Sequence, residues 1–202
     1  MAVITKVDAA DAGHIVIALQ SVALSTQLIS SDIDVSTKLA AQFFINLGRR
    51  AATAAGAGVR IRIEGTSQPS GDGYWVPLAE YLTDFVAAEA EALTGTVAAG
   101  QKVLTMASTA NLLQQQIIFI DNGTIGNSEW ARIKSLVANV SVTIEDNLLN
   151  AQTGATIYNK AEMWAPTLDV SAVKRLRIVV DGSLFTQAFA IRARMVTADS
   201  IG

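Results

Sequence analysis

The chain has 202 residues, a formal net charge of −3 and no cysteine; half of its residues are hydrophobic and only 16% are charged. The absence of cysteine excludes disulfides, thiolate metal sites and cysteine nucleophiles. The small negative charge gives no general attraction to nucleic acid or to anionic membranes, so we expect neither as a partner. So few charges leave part of the exterior apolar, and we therefore expect the chain to form an oligomer.

The N-terminal part of the chain is predicted to be extended. The apolar stretch from Ile15 to Leu24 is too short for a membrane span and lacks a preceding basic run, so it predicts a strand. We expect residues 1–31 to form an N-terminal arm or edge strand that contacts a neighbouring subunit. Residues 32–202 are then expected to form one β-sandwich domain.

The stretch STKLAAQFFINLGRR is compatible with two structures. Ser36 as a cap and Gly48 as a stop would suit an amphipathic helix. Its central run from Gln42 to Leu47 suits a strand equally well, and the β-rich context favours the strand. AAEAEALTG, residues 87–95, predicts a short turn of helix or a polar connection between sheets.

Alternation with a period of two identifies the clearest strands. In VRIRIEG, Val59, Ile61 and Ile63 share one face. SLVANVSVTIEDN is predicted to continue the pattern, with one face made of Val140, Val142 and Ile144 and the other of Ser141 and Thr143.

The C-terminal tail is predicted to be a hairpin. RLRIVV leads to the turn Asp181-Gly182-Ser183 and then to LFTQAFAIRARMVTA. The alternation in the last stretch separates an apolar face, Phe189, Ile191, Ala193 and Met195, from a face with Ala190, Arg192, Arg194 and Val196. The recurrence of such strands predicts an all-β fold, an antiparallel β-sandwich of jelly-roll type with little helix.

The loop FIDNGTIGNSEWARI is predicted to be a structural corner. Asn and Gly tolerate a positive φ, so Asp121-Asn122-Gly123 predicts a turn, after which Thr124 and Ile125 should resume an extended path. The second cluster then bends the chain before Trp130 returns to the core. The polar residues suited to bracing this corner are Asp121, Asn122, Gly123, Asn127, Ser128 and Glu129.

Three groups of residues suggest binding sites. Tyr74, Trp75 and Trp164 would form a stacking platform for sugar rings if they lay on exposed loops. Arg175 and Arg177 share one face of their strand, and Arg192 and Arg194 could lie beside them across the hairpin. That positive stripe would pair with acidic groups of a neighbouring subunit rather than with nucleic acid.

The sequence contains no pattern for an enzyme or a metal site. The single histidine, His14, lies outside any HxH, HExxH or nucleophile-elbow pattern. Asp32 and Asp34 lack the other residues of a calcium loop and are expected to mark an exposed turn. Pairs of carboxylates leave a glycosidase open, although spacing alone does not bring two of them together. We expect no catalytic residue, no metal and no cofactor.

Several stretches resemble small virion-associated structural proteins of tailed bacteriophages. They include the Asn-Ser-Glu-Trp corner, NAQTGAT and the ending MVTADSIG, and the resemblance runs from about Val59 to the C-terminus. It implies a particle component assembled in the host cytoplasm, present in many copies and not an enzyme. A capsid decoration or cement protein suits it first, as a homo-oligomer such as a trimer bound to the major capsid protein. A tail, collar or fibre-associated protein and a carbohydrate-binding module are the alternatives.

Overall fold

The computed structural model describes residues 15–22, 27–50, 58–71, 73–83, 89–181 and 188–199. Within these ranges the regular structure is antiparallel strand, apart from one short 3-10 helix at Ile125–Asn127. This confirms the all-β prediction. The same ranges contain no helix with the length and hydropathy that crossing a bilayer requires.

Ten strands form a sandwich of two sheets. They are β1 (Ile15–Val22), β2 (Gln27–Ile29), β3 (Ile33–Asp34), β4 (Lys38–Arg49), β5 (Arg60–Thr66), β6 (Val76–Leu82), β15 (Glu162–Trp164), β16 (Thr167–Asp169), β17 (Arg175–Asp181) and β18 (Phe189–Asp199). Sheet A has the order β1-β18-β4-β15, with β16 also paired to β4. Sheet B has the order β2-β17-β5-β6, with β3 also paired to β17. The chain passes repeatedly from one sheet to the other, as in a jelly roll, and the prediction of an antiparallel β-sandwich is confirmed.

Alternation along these strands builds the core of the sandwich. From sheet B, β5 contributes Ile61 and Ile63, and β17 contributes Leu176, Ile178 and Val180. Sheet A faces them with side chains of β4 and β18, among which are Phe43, Ile45, Leu47, Phe189, Ile191, Ala193 and Met195. The strand predictions for VRIRIEG, for the centre of STKLAAQFFINLGRR and for the apolar face of β18 are therefore confirmed.

The N-terminal strands lie at the edges of the two sheets. β1 pairs with β18 at one edge of sheet A, and β2 pairs with β17 at one edge of sheet B. Residues 1–14 and 23–26 lie outside the described residues. The division into an arm up to residue 31 and one domain from residue 32 stays a prediction.

A small barrel is inserted between β6 and β15. Its strands are β7 (Ala90–Ala92), β8 (Thr96–Val97), β9 (Val103–Thr105), β10 (Ile117–Asp121), β11 (Glu129–Val137), β12 (Ser141–Ile144), β13 (Gln152–Thr153) and β14 (Thr156–Tyr158). Six of them pair in the order β7-β14-β10-β11-β12-β9. An antiparallel bridge between Leu93 and Met106, just beyond β7 and β9, closes the ring. β8 and β13 form a separate two-stranded ribbon.

The barrel has a hydrophobic core of its own. Its fully buried members include Leu104, Ile118, Ile120, Ile133 and Val142. A third, smaller cluster joins the barrel to sheet A: Phe119 and Tyr158 of the barrel pack against Ala190 of β18. Because Ala190 faces away from the sandwich core, the barrel lies on the outer face of sheet A, on the side opposite to sheet B.

The predicted C-terminal hairpin is wrong. β17 pairs with β2, β3 and β5, whereas β18 pairs with β1 and β4, so the two strands belong to different sheets. A turn signal after Asp181 reverses the chain equally well within a sheet or between two sheets. The crossing lets the apolar faces of both strands enter the same core.

Three smaller predictions are corrected as well. Residues 90–92, expected in a helical turn or a connection, form β7, because pairing with β14 outweighs their helix propensity. Val140 does not continue the inward face of β12; it lies in a turn, follows Asn139 with φ +54°, and is 53% exposed. Ile125 is not extended, because Asn127 and Ser128 donate backbone hydrogen bonds that close the 3-10 helix.

Candidate interaction surfaces

The loop from Asp121 to Trp130 connects the barrel with sheet A. The buried carboxylate of Asp121 accepts two hydrogen bonds from the Arg50 guanidinium, at 2.8 and 3.1 Å. It also accepts the backbone N–H of Gly123 at 2.9 Å, and Gly123 has a φ of +84° that favours glycine. Burial alone would raise the pKa of Asp121, but the hydrogen bonds from Arg50, Gly123 and Ser128 outweigh it, so the pKa is lowered.

The remaining polar residues of the loop form a hydrogen-bonded network. The hydroxyl of Ser128 accepts the backbone N–H of Asn122 at 3.1 Å, and the Asn122 amide donates to Gln152 at 2.9 Å. The Gln152 amide donates to the Glu129 carboxylate at 2.8 Å and to the Asn127 carbonyl at 2.9 Å. Because these polar groups form hydrogen bonds with one another, they stabilise the conformation of the loop and leave no open ligand site in it.

Trp130 ties the loop to the jelly roll. Its indole N–H donates to the carbonyl of Leu47 at 2.9 Å, and its ring centroid lies 4.9 Å from that of Phe119. The Arg192 guanidinium lies 5.2 Å from the centroid of the Trp130 ring, a cation–π arrangement. Phe119 in turn packs so closely against Gly48 of β4 that a Cβ there would lie 2.7 Å from its Cδ2 atom.

Three residues of this junction were not predicted from the sequence. Arg50 supplies the ion pair with Asp121, and Gly48 allows the close approach of Phe119. Gln152 supplies the central amide of the hydrogen-bonded network. Gly48 interrupts an otherwise apolar strand, which is a recognised sign of close backbone approach. Arg50 and Gln152 carried no local signal, because their partners lie 71 and 23 residues away along the chain.

The four candidate arginines do not form one stripe. Arg175 and Arg177 lie on the outer face of sheet B, and Arg192 and Arg194 lie on the outer face of sheet A. The sandwich core separates the two pairs, so the predicted stripe across a hairpin is wrong. Burial lowers the pKa of Arg192, and the charge of Arg194 lowers it further, whereas Glu129 acts in the opposite direction.

Arg175 holds together two loops at one end of the jelly roll. Its guanidinium donates to the carbonyls of Gln68 at 2.9 Å and Gly71 at 2.6 Å, and it forms an ion pair with Asp32. Asp34, nearby in sequence, accepts the backbone N–H of Ser36, and this hydrogen bond lowers its pKa. In the ranges that the structure describes, no group of three or more His, Cys, Asp or Glu residues is placed to hold a metal ion.

The outer face of sheet B is a ladder of paired charges. Arg177 donates to Glu64 through two nitrogen atoms, each 2.8 Å from the same carboxylate oxygen, and Arg62 lies 3.5 Å from Glu64. Arg60 and Glu80 form a longer ion pair of 3.7 Å. Apolar side chains flank this ladder, since Ile29 and Leu82 are each 47% exposed.

The three candidate aromatic residues do not converge on one platform. Trp75 lies against the charge ladder, with the guanidinium carbons of Arg177 and Arg175 at 4.3 and 5.2 Å from its ring centroid. Trp164 stacks on Tyr81 at 5.4 Å and packs against the sandwich core. Tyr74 is 89% exposed and is the most accessible of the three.

A shallow crevice lies where the barrel meets sheet A. It encloses about 160 Å³ and has an apolar floor that includes Ile117, Trp130 and Met163. Arg132 and Glu145 stand at its rim and form an ion pair of 3.8 Å. The carboxylates from which a glycosidase pair could be drawn are spread over different elements, since Glu64 lies on sheet B, Glu129 in the corner network and Glu145 at this crevice.

Comparisons with known proteins add little to this geometry. No protein-family model matches the sequence, and no curated protein matches it either. Among solved structures, the chain is similar to VP17, a capsid protein of bacteriophage P23-77, with 12% identity over 90% of each chain and a TM-score of 0.20. A TM-score this low carries no argument about the fold or the function of this chain.

Proposed function

We propose that the chain is a structural component of a bacteriophage particle, and that it acts as a capsid decoration or cement protein rather than as an enzyme. The observation that carries this proposal is the position of its exposed apolar side chains. Ile29 and Leu82 lie on the outer face of sheet B, whereas Val103, Val137 and Leu149 lie on the barrel. The barrel and sheet B are on opposite sides of sheet A, so these side chains would serve as two docking faces on opposite sides of that sheet.

A protein that fastens neighbouring subunits needs two such faces and a stiff connection between them. The ion pair of Arg50 with Asp121, the hydrogen bond from Trp130 to Leu47 and the close packing of Phe119 on Gly48 supply that connection. The low charge content and the resemblance to virion-associated phage proteins support the same role. Jelly rolls are common in viral capsid proteins and also in lectins, so the fold alone does not decide between these functions.

The charge ladder on sheet B suits a contact with a different protein of the particle. Paired arginines and carboxylates interspersed with apolar residues favour a partner with a matching pattern of charges. We assign this face to the major capsid protein, with the tail or collar as the alternative location.

Purified particles of the virus that encodes the chain provide the test. We expect mass spectrometry to find the chain in many copies, and gold-labelled antibodies against it to decorate the capsid surface. Particles assembled without it should release their genome at a lower temperature, and adding the purified chain should restore the original temperature. Absence of the chain from purified particles would refute the proposal, and label confined to the tail would move the protein there.

Carbohydrate binding is a second candidate that one observation favours, namely the 89% exposure of Tyr74. Exposed aromatic rings offer a face on which sugars stack. Because Tyr74 is so exposed, Tyr74→Ala should abolish glycan-array binding without changing the melting temperature. A wild-type chain that binds no glycan on the array removes this candidate.

A further inference from the structure

The corner loop contains an Asn-Gly pair, Asn122-Gly123, which occurs at one place only in the chain. In such a pair the backbone nitrogen of the glycine can attack the side-chain amide of the asparagine, because glycine has no Cβ to obstruct the approach. The bond from the Gly123 nitrogen to Cγ of Asn122 forms, the Cγ–Nδ2 bond breaks, and ammonia leaves with the proton of the Gly123 nitrogen. Water then opens the resulting cyclic imide and leaves aspartate or isoaspartate at position 122.

The folded corner holds the attacking nitrogen. The Gly123 N–H donates to Oδ1 of Asp121 at 2.9 Å. Attack requires loss of that proton, which would place a negative nitrogen beside a carboxylate, and like charges oppose each other. Folding also lowers the pKa of Asp121, so this carboxylate is a weak base and does not take the proton readily. The attacking group is therefore deactivated as long as the corner is closed.

The folded corner also holds the amide that must leave. Nδ2 of Asn122 donates to Oε1 of Gln152 at 2.9 Å and to the carbonyl of Ala151 at 3.2 Å. Ring closure turns the side chain towards its own backbone and breaks both hydrogen bonds. The reaction therefore requires an opening of the corner in which Asn122 leaves Gln152. Local openings of this kind cost less free energy than global unfolding.

We propose that Asn122-Gly123 is a latent modification site. It is unreactive in the closed corner, and ring closure followed by hydrolysis converts Asn122 to aspartate or isoaspartate when the corner opens. The reaction uses only the chain and water. The inference rests on the hydrogen bonds of the corner and not on the proposed role in a particle.

The modification prevents the corner from closing again. A carboxylate at position 122 has no proton to donate, yet it would face the oxygen acceptors of Gln152 and Ala151. The amide nitrogen of Gln152 cannot turn towards it without leaving the Glu129 carboxylate at 2.8 Å and the Asn127 carbonyl at 2.9 Å. The junction between the barrel and sheet A, to which this corner belongs, would therefore be loosened permanently.

Incubation of the chain at mildly alkaline pH, both folded and in urea, tests the proposal. Peptide mapping by mass spectrometry measures the conversion at Asn122, and chromatography separates the aspartate and isoaspartate products. Conversion should be at least about tenfold slower in the folded chain, because only the open fraction reacts. Equal rates in the two states, or no conversion in urea, would overturn the proposal.

A matched pair of variants separates opening of the corner from unfolding of the whole chain. Gln152→Ala removes an acceptor of the Asn122 amide and should speed conversion in the folded chain by at least about fivefold. Thr83→Val removes the hydroxyl that accepts the backbone N–H of Val59 at 2.9 Å in the jelly roll, and should leave the rate unchanged. Equal acceleration by both variants would assign the reaction to global unfolding and refute a site controlled by the corner.

Asn122→Asp installs one product directly and tests its consequence. It should lower the melting temperature, because the new carboxylate faces two acceptors. Asn127→Asp adds the same charge to an exposed side chain of the same loop and should have a smaller effect. Equal melting temperatures of the two variants would show that the modified corner closes normally, and the permanent loosening would then be wrong.

Discussion

Replacing Gly48 with alanine should loosen the junction between the barrel and sheet A. A Cβ at position 48 would lie 2.7 Å from Cδ2 and 2.8 Å from Cβ of Phe119, whereas ordinary contacts begin at 3.4 Å. The Cγ atom of the ring would be closer still, so the ring must move by about 1 Å, and overpacking of this kind typically costs about 1–3 kcal/mol. Phe119 is fully buried between Trp130 and sheet A and has little room to move, which places the cost in the upper half of that range.

One opposing effect reduces the net change. Alanine is more favourable than glycine within a strand by roughly 0.5–1 kcal/mol, so the net loss of unfolding free energy should be about 1–2 kcal/mol. For a chain of this length, that corresponds to a fall in melting temperature of about 2–8 °C. Calorimetry or urea unfolding measures it, with Gly126→Ala as the matched control, because no atom lies within 4 Å of a Cβ built there.

A double-mutant cycle isolates the cause of the loss. Phe119→Ala removes the ring atoms but keeps the Cβ that lies 2.8 Å away, so adding Gly48→Ala in that background should cost clearly less than in the wild type. The reasoning would be refuted if Gly48→Ala costs as much in the Phe119→Ala background as in the wild type. It would also fail if Gly48→Ala and Gly126→Ala have the same melting temperature.

Two further predictions concern the same junction. Asp121→Asn should lower the unfolding free energy by about 2–3 kcal/mol at neutral pH, because it leaves the Arg50 guanidinium without its carboxylate, as chemical unfolding would measure. Folding lowers the pKa of Asp121, so the contribution of its carboxylate to stability is complete above the ordinary pKa of 3.8 and is lost as the pH falls through the lower pKa of the folded state. The wild type should therefore lose its stability advantage over Asp121→Asn in acid. A stability difference that stays constant with pH would contradict this. Trp130→Phe should cost about 1–2 kcal/mol, since the buried carbonyl of Leu47 loses its donor at 2.9 Å, and an unchanged melting temperature would count against that role.

The sequence predicted strands correctly where the alternation of apolar and polar residues fits only one type of secondary structure. The alternation of β18 places Phe189, Ile191 and Ala193 in the core, and no other element type satisfies it. The run from Gln42 to Leu47 was ambiguous by itself, and the surrounding strands decided it correctly. The β-rich context resolves the ambiguity, because a helix in this place would leave sheet A without β4, the strand to which β15, β16 and β18 pair.

The pairing of elements that lie far apart along the chain was harder to predict from the sequence, and the reason is physical. The turn at Asp121-Asn122-Gly123 was predicted from local φ preferences, but the pairing of Asp121 with Arg50 depends on how the barrel sits on sheet A. In the same way, the signal after Asp181 marks a reversal without saying which sheet the next strand joins. Alternation is also identical for a strand of the barrel and a strand of the jelly roll, so it does not reveal that residues 90–158 form a core of their own.

The four arginines are separated onto two faces of the sandwich, and this bears on function in a way that the sequence did not predict. A single stripe of four arginines would have offered one basic surface to one acidic partner. Instead, Arg175 and Arg177 brace loops and the Glu64 ladder on sheet B, and Arg192 stacks on Trp130 inside the junction. The charge ladder and the Trp130 junction are thus on opposite faces of the sandwich, and the arginines of each are committed to partners within the chain.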